Sequence, residues 1–557
     1  MTGTQAAAAL QARGNRTLGD AIAEFLERCG VTAAFGVISI HNMPILDAIG
    51  RRGRIAFVPS RGEAGAVNMA DAYARVSEHL GVAVTSTGTA AGNAAGAMVE
   101  ALTAGSPVLH LTGQVRSDCV DRNRAYIHDA PAQLQMLRAV SKAAYRISET
   151  SQAERVLREA VSQALTPPMG PVSIEIPIDV QGSAFGELSG AGMPEPHFKA
   201  PEESDVEAVA RALESARRPV MLLGGGARRA VEPARRLADL GVAVVTSVNG
   251  RGIVPEGHPM SLGPIGPNRT VEELYETCDL MLIVGSRLRS NETWDYELRL
   301  PARRIVINCD PAADGCNYSN DRFVCADSRL FLERLVERVA GRLSIDPGLA
   351  RHVADVRTTW EQALRDDLGP YAGFVDVLQE HMPEDAVWVR DVTLSNSLWG
   401  NRLLKIRKPS NAVHAVGGGI GQGLPMAVGA AAAAKGRKVV ALCGDGGLSL
   451  SLGELITAAQ ERSNVTVLLM NDGGYGVIRN IQDAHYGGRR YFSTITTPHF
   501  GKISESLDIP HFEVSSLDQF RTYLPECLAI EGLSVLEVRM ERIGTFKRKF
   551  TGPPTRS

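Results

Sequence analysis

Two polar residues that end apolar runs carry the strongest chemical signal in the chain. The run 439–443 closes in Cys443-Gly444-Asp445-Gly446-Gly447, and Val465-Thr-Val-Leu-Leu-Met closes in Asn471. A helical stretch separates them. Both residues therefore fall at the carboxyl ends of strands in one parallel sheet, where such sheets bind ligands. The glycines let the backbone approach a phosphate, and the helix that follows presents free N–H groups to it. Asp445 and Asn471 supply hard oxygens of the kind Mg²⁺ takes alongside phosphate oxygens. As structure alone, the same residues make a tight strand-to-helix turn with its capping groups.

A carboxylate and a second glycine-rich turn extend the set. Glu63 stands in Arg61-Gly-Glu63-Ala-Gly-Ala-Val, after an apolar run at 55–58 and at the head of a small-residue helix. A carboxyl group in an apolar pocket is expected to have a raised pKa, which suits proton exchange. Taken singly it is a charge facing a helix dipole. Gly417-Gly-Gly-Ile420-Gly-Gln-Gly-Leu-Pro leads into an alanine-rich helix. Taken singly, Ile420 is core.

The elements that must hold these groups follow a repeating pattern. Thr17-Leu-Gly-Asp20 predicts a capping box and a helix to residue 29. Strands at 55–58, 82–85, 107–112 and 172–177 alternate with helices at 64–76 and 93–102. A second alternating block has strands at 219–223, 242–246, 280–284 and 305–308. A third has them at 386–389, 439–443, 465–470 and 534–538. Such alternation predicts an α/β fold of three doubly wound parallel-sheet domains. The expected boundaries are a flexible tail 1–16, a first domain 17–185, a central domain 203–343, a third domain 365–540, and a tail or lid 541–557. The Gly-, Pro- and acid-rich stretch 182–203 reads as a linker.

Composition narrows the class of partner. The 557 residues are 44% hydrophobic and 22% charged, with a net charge of −3. A near-neutral surface argues against nucleic acid or an anionic membrane as the main partner. No apolar run reaches the length that spans a bilayer, and no basic-then-apolar leader opens the chain. The 8 cysteines include no Cys-x-x-Cys pair, which predicts buried thiols in a cytoplasmic protein rather than disulfides or a zinc site.

The strand–loop–helix–strand unit from Gly444 to Asn471 resembles the thiamin-diphosphate signature of the acetolactate synthase, pyruvate oxidase and benzoylformate decarboxylase group. The stretch around Glu63 and the Gly417–Pro425 turn are similar to that group as well, and the likeness runs from about residue 17 to about 539. It implies a pyrimidine-binding, a central Rossmann-like and a diphosphate-binding domain. It implies that Asp445, the Asn471 side chain and the Gly473 carbonyl hold Mg²⁺ and that Glu63 promotes the imino tautomer of the aminopyrimidine. The Gly418 carbonyl would accept from the 4′-amino group, and Ile420 would prop the two cofactor rings into a V. Gly444, Gly446 and Gly447 would face the diphosphate, and Thr393, Ser395 and Asn396 follow a strand in a position to join them. Asn93 and Gln114 lie on loops resembling those that line cofactor and substrate, and Tyr475, Gly476, Val477 and Ile478 follow Asn471 toward the substrate.

Chemistry of that group implies a 2-oxo acid or related acyl donor, decarboxylated or ligated through an enamine. Histidines on substrate-facing loops can protonate such a species or hold a carboxylate, and His41 and His128 are the candidates, with His414 just before the glycine turn. Alone, each reads equally well as an exposed or capping histidine. Relatives of this kind bind FAD, ADP or nothing in the central domain, where Gly224-Gly-Gly226 follows a strand but Gly-x-Gly-x-x-Gly is absent. They share each cofactor between two subunits, which implies a homodimer or homotetramer. A 2-hydroxyacyl-CoA or oxalyl-CoA lyase and a catalytically dead nucleotide-binding regulatory subunit are the competing readings. Intact Glu63, Asp445 and Asn471 count against the second.

Overall fold

The computed structural model describes residues 16–190, 192–264 and 266–553. The expected tail 1–16 lies, apart from Arg16, outside the described residues. So do the last four residues of 541–557.

Three parallel sheets form the frame. The first holds β1 (Ala33–Gly36), β2 (Ala56–Pro59), β3 (Gly81–Thr85), β4 (Val108–Gln114), β5 (Ala143–Arg146) and β6 (Val172–Pro177), in the order β2-β1-β3-β4-β6-β5. The second holds β7 (Pro219–Leu223), β8 (Ala243–Thr246), β9 (Leu280–Val284), β10 (Arg304–Ile307) and β11 (Arg322–Val324), in the order β11-β10-β9-β7-β8. The third holds β12 (Val387–Arg390), β13 (Ala412–His414), β14 (Val439–Gly444), β15 (Val465–Asn471), β16 (His511–Val514) and β17 (Ser534–Arg539), in the order β13-β12-β14-β15-β17-β16. Counted from their own first strands, the first and third sheets have the same order, although their sequences show no repeat. In each, the first strand is flanked by the second and third. The chain therefore departs in opposite directions from that point, and the loops there open a crevice at the carboxyl ends of the strands.

The chain forms two compact units. One contains Met1–His197, Ala415–Gly436 and Ser451–Val465. The other contains Phe198–His414, Arg437–Leu450 and Thr466–Ser557. In the first unit the capping box forms as expected: Asp20 N–H donates to Thr17 Oγ1 at 3.3 Å, and Thr17 N–H to Asp20 Oδ2 at 2.9 Å. The helix Glu63–Ser77 is buried from Gly65 to Val76. It lies against Thr89–Ala104 and Gly423–Ala434. Small residues permit this: a Cβ on Gly429 would stand 2.0 Å from the Met69 carbonyl oxygen. Gly423–Ala434 is apolar all round and is buried except at Ala431 and Ala432, as suits a helix packed on most of its faces.

In the second unit the strands β7 and β9 are wholly buried and, after Pro219, consist only of Val, Leu, Ile and Met, as expected of strands covered on both faces. Residues 546–548 are anchored here. Phe546 is buried and stacks on Tyr371 at 4.2 Å between ring centroids, and Arg548 pairs with Asp367 at 3.2 Å.

Candidate active site

The crevice of the third sheet opens between β12 and β14. Asp445, the first residue beyond β14, is fully buried. Its carboxylate accepts the N–H groups of Asp472 at 3.1 Å and Gly474 at 2.7 Å. Burial lifts its pKa above the usual aspartate value, against the pull of those N–H groups. Desolvation of a charge at this spot is a cost that a cation would offset. Asn471 ends β15, donates from Nδ2 to Glu537 at 2.6 Å, and accepts Gly473 N–H on Oδ1 at 3.2 Å. The Gly473 carbonyl accepts from Arg479 at 2.9 Å.

Beside Gly444 lies the loop after β12. Thr393 Oγ1 accepts Asn396 N–H at 2.9 Å. The Ser395 hydroxyl and Asn396 Oδ1 are buried without a hydrogen-bond partner. An unmatched buried hydroxyl is costly and is what a phosphate oxygen would satisfy. Across from it, a Cβ on Gly446 would meet the Gly474 carbonyl and the Tyr475 ring at 2.8 Å. Only glycine leaves this cradle open. The residues present thus fit a Mg²⁺–diphosphate group: oxygens at Asp445, Asn471 and Gly473, and an unpartnered donor at Ser395. Val477 is half-buried and Ile478 is 45% exposed beyond Tyr475 and Gly476.

In the first unit the Glu63 carboxylate heads its helix and accepts Asn93 Nδ2 at 3.1 Å, so two residues chosen separately from the sequence meet. Behind Glu63, the buried Glu454 accepts Arg61 N–H on both carboxylate oxygens, at 3.1 and 3.2 Å. A second buried carboxylate, Glu100, accepts the N–H groups of Val416 at 2.6 Å and Gly417 at 2.7 Å, just before Gly418 and Ile420. Burial raises the pKa of both Glu100 and Glu454. Gly418 has φ +83°, and Ile420 is 40% exposed, so Ile420 is not a core residue.

The imidazole rings of His41 and His128 meet edge to face at 5.5 Å. His128 adopts φ +67°, a left-handed conformation that histidine tolerates better than most residues. Burial and the neighbouring His128 push the His41 pKa down, which favours the neutral ring. Gln114 lies inward, 1% exposed, accepting Thr87 Oγ1 at 3.0 Å and Val115 N–H at 2.7 Å. His414 is buried at the end of β13.

Sequence reasoning did not single out Glu100, Glu454, Glu537 or Arg479. A signal existed for Glu537: an acid inside the apolar run Ser534-Val-Leu-Glu-Val is a residue with a partner to find.

Three family descriptions match the chain in order. "Thiamine pyrophosphate enzyme, N-terminal TPP binding domain" matches residues 16–136, "Thiamine pyrophosphate enzyme, central domain" 206–335, and "Thiamine pyrophosphate enzyme, C-terminal TPP binding domain" 394–538. The chain belongs to the thiamine pyrophosphate enzyme family. Among its relatives is "Acetolactate synthase 2, chloroplastic" of Nicotiana tabacum, 29% identical over 543 residues, 93% of this chain and 81% of that protein. "Acetolactate synthase 1, chloroplastic" of Zea mays is 28% identical over 552 residues, 93% of this chain and 84% of the other. "Probable 2-ketoarginine decarboxylase AruI" of Pseudomonas aeruginosa is 29% identical over 475 residues, 85% of each. As in the family, two segments are cofactor-binding domains and one lies between them.

That central domain has its own crevice at the carboxyl ends of β7, β8 and β9. A cavity of about 90 Å³ there is lined by Thr246, Ser247, Ser286, Glu292, Asn401 and Arg402. Thr246 Oγ1 and Asn401 Oδ1 are buried without partners. Burial, with Arg548 nearby, lowers the Arg402 pKa to about 10. Among the described residues no group of three or more His, Cys, Asp or Glu is arranged to hold a metal, and no helix is long and apolar enough to cross a membrane.

Proposed function

We propose that this chain is a thiamin-diphosphate- and Mg²⁺-dependent enzyme acting on the bond next to a 2-oxo carbonyl. It decarboxylates a 2-oxo acid and releases the acyl fragment as an aldehyde or joins it to a second carbonyl. The observation that carries the reading is the matched pair of crevices: Glu63 with Asn93 at one, and Asp445 with Asn471 at the other, on sheets of one strand order. Bound thiamin diphosphate supplies a C2 carbanion for attack on the carbonyl and an electron sink for the cleaved bond.

Each residue has a task in this reading. Asp445, the Asn471 side-chain oxygen and the Gly473 carbonyl hold Mg²⁺, and the Ser395 hydroxyl, with Thr393 and Asn396 beside it, faces the diphosphate. Gly444, Gly446 and Gly447 keep side chains out of that space. Glu63 holds a proton at the pyrimidine ring nitrogen, and Asn93 steadies its carboxylate. The Gly418 carbonyl would accept a hydrogen bond from the cofactor's 4′-amino group, and the exposed Ile420 side chain would pack against its rings and help to orient them. His41 and His128 face the substrate, where a neutral His41 is able to hold or pass a proton. Gln114 supports that wall from behind, and Tyr475, Gly476, Val477 and Ile478 line the far side.

In the same reading the protein is a cytoplasmic homodimer or homotetramer, and its central crevice, at Arg402 and its unpartnered neighbours, is the place that would hold FAD or ADP if the central domain binds either. A yellow absorbance band assigns FAD, and its absence together with a Tm raised by ADP assigns ADP. The test of the reaction is product analysis with a panel of 2-oxo acids, with and without an aldehyde acceptor. CO2 release that needs both thiamin diphosphate and Mg²⁺ supports the reading. No consumption of any 2-oxo acid by the loaded protein contradicts it.

A further inference from the structure

An amide ligand differs from a carboxylate in one respect: it has one oxygen and one NH2, so it serves a cation only when it points the right way. For Asn471 the choice of face is made by neighbours. Its Nδ2 donates to one oxygen of Glu537 at 2.6 Å, and the other Glu537 oxygen takes His511 Nε2 at 2.9 Å. Glu537 is 4% exposed, on β17, the strand beside β15. With the NH2 committed to a carboxylate, Oδ1 is left on the side of Gly473, whose N–H it accepts at 3.2 Å. A rotated amide would set its oxygen against the Glu537 carboxylate and its NH2 toward the loop that also carries the Gly473 carbonyl.

We propose that the Glu537–His511 pair is a positioning device that fixes the Asn471 amide with its oxygen toward the Mg²⁺ site. The proposal rests on the metal role given to Asn471 above. Partners of this kind, one step behind a ligand, characteristically change metal affinity by 10- to 100-fold when removed. His511 holds Glu537 in the rotamer that reaches Asn471, and Glu537 does the orienting.

The test is calorimetric titration of MgCl2 into protein saturated with thiamin diphosphate. Glu537→Met, close in size and without an acceptor, is expected to weaken Mg²⁺ binding by 10- to 100-fold, and Glu537→Ala serves the same test if the methionine variant does not fold. Glu537→Gln keeps an oxygen for Asn471 and is expected to stay within a few-fold of wild type. A second substitution decides whether orientation is the cause. Aspartate has two equivalent oxygens and needs none, so Asn471→Asp placed on Glu537→Met is expected to recover most of the lost affinity. Wild-type affinity in folded Glu537→Met, or no recovery in the folded double variant, overturns the proposal. A wild-type protein without Mg²⁺-dependent cofactor binding would instead overturn the metal reading itself.

Discussion

The carboxylate of Glu454 accepts the backbone N–H of Arg61 at 3.1 and 3.2 Å, across a separation of 393 residues. The turn that delivers Glu63 is therefore held by a side chain from a different part of the chain. Glu454 is buried, and a Cβ on Gly65 would stand 2.2 Å from its Oε1.

Glu454→Leu removes the acceptor of that N–H at a part-buried contact, a loss of about 0.5–1.5 kcal/mol. The expected outcome is a denaturation midpoint lowered accordingly, with turnover reduced at least tenfold because Glu63 loses its support. Glu454→Gln, which keeps one acceptor oxygen, falls between. Urea melts and kcat on the same preparations check both parts.

Gly429 tests the helix packing. Its Cβ position lies 2.0 Å from the Met69 carbonyl oxygen, so Gly429→Ala forces two helices apart. A loss of at least about 2 kcal/mol is expected. Gly50, in the helix Met43–Arg52, has nothing within 4 Å of its Cβ position. Gly50→Ala is therefore expected to stabilise by about 0.5–1 kcal/mol. Thermal melts of the two variants should move in opposite directions.

Much of this frame was legible in the sequence, and the reason is the pattern of burial. A strand covered on both faces reads as an unbroken apolar run, so 280–284 is found at its expected limits, and 172–177 is too, although Ser173 and Glu175 alternate with its apolar residues. Edge strands were missed because that signal fades there. Ala143–Arg146 and His511–Val514 are sheet edges with mixed burial. The helix around residues 64–76 begins one residue earlier than expected, at Glu63 itself. Asp445 and Asn471 stood out because each is a polar residue closing an apolar run at a strand end, and Glu63 because of the stretch Arg61-Gly-Glu63-Ala-Gly-Ala-Val around it. Glu100 and Glu454 did not, because the contacts that tie them to the glycine turns are to backbone N–H groups, which no residue type announces. The His41–His128 contact likewise depends on the path of the loop between β4 and the helix Gln133–Val140, where Asp121, Asn123, Ala125, His128 and Ala132 all take positive φ.

A pH effect on stability follows from His110. It is fully buried, with Thr85 Oγ1 at 2.8 Å and Ser173 Oγ at 3.1 Å, and burial lowers its pKa from 6.5 to about 4. Between those values the unfolded chain binds a proton that the folded chain refuses, so stability falls as the pH drops through that window. The loss from this group approaches about 3 kcal/mol by pH 4. His110→Gln, which cannot take up the proton, is expected to show a flatter dependence of Tm on pH between 6.5 and 4. An equal slope in the variant would assign the acid sensitivity elsewhere.

The central claim is that Glu63 acts on a bound thiamin diphosphate whose diphosphate is held through Asp445 and Asn471. The most direct measurement is proton–deuterium exchange at the cofactor C2 position, followed by NMR after rapid quench, in wild type and in Glu63→Gln, with cofactor affinity measured alongside. The account predicts fast, Mg²⁺-dependent exchange in the wild type and near loss of that acceleration in Glu63→Gln, with cofactor affinity within about tenfold of the wild-type value. Undiminished exchange in a Glu63→Gln protein that still binds the cofactor would contradict it.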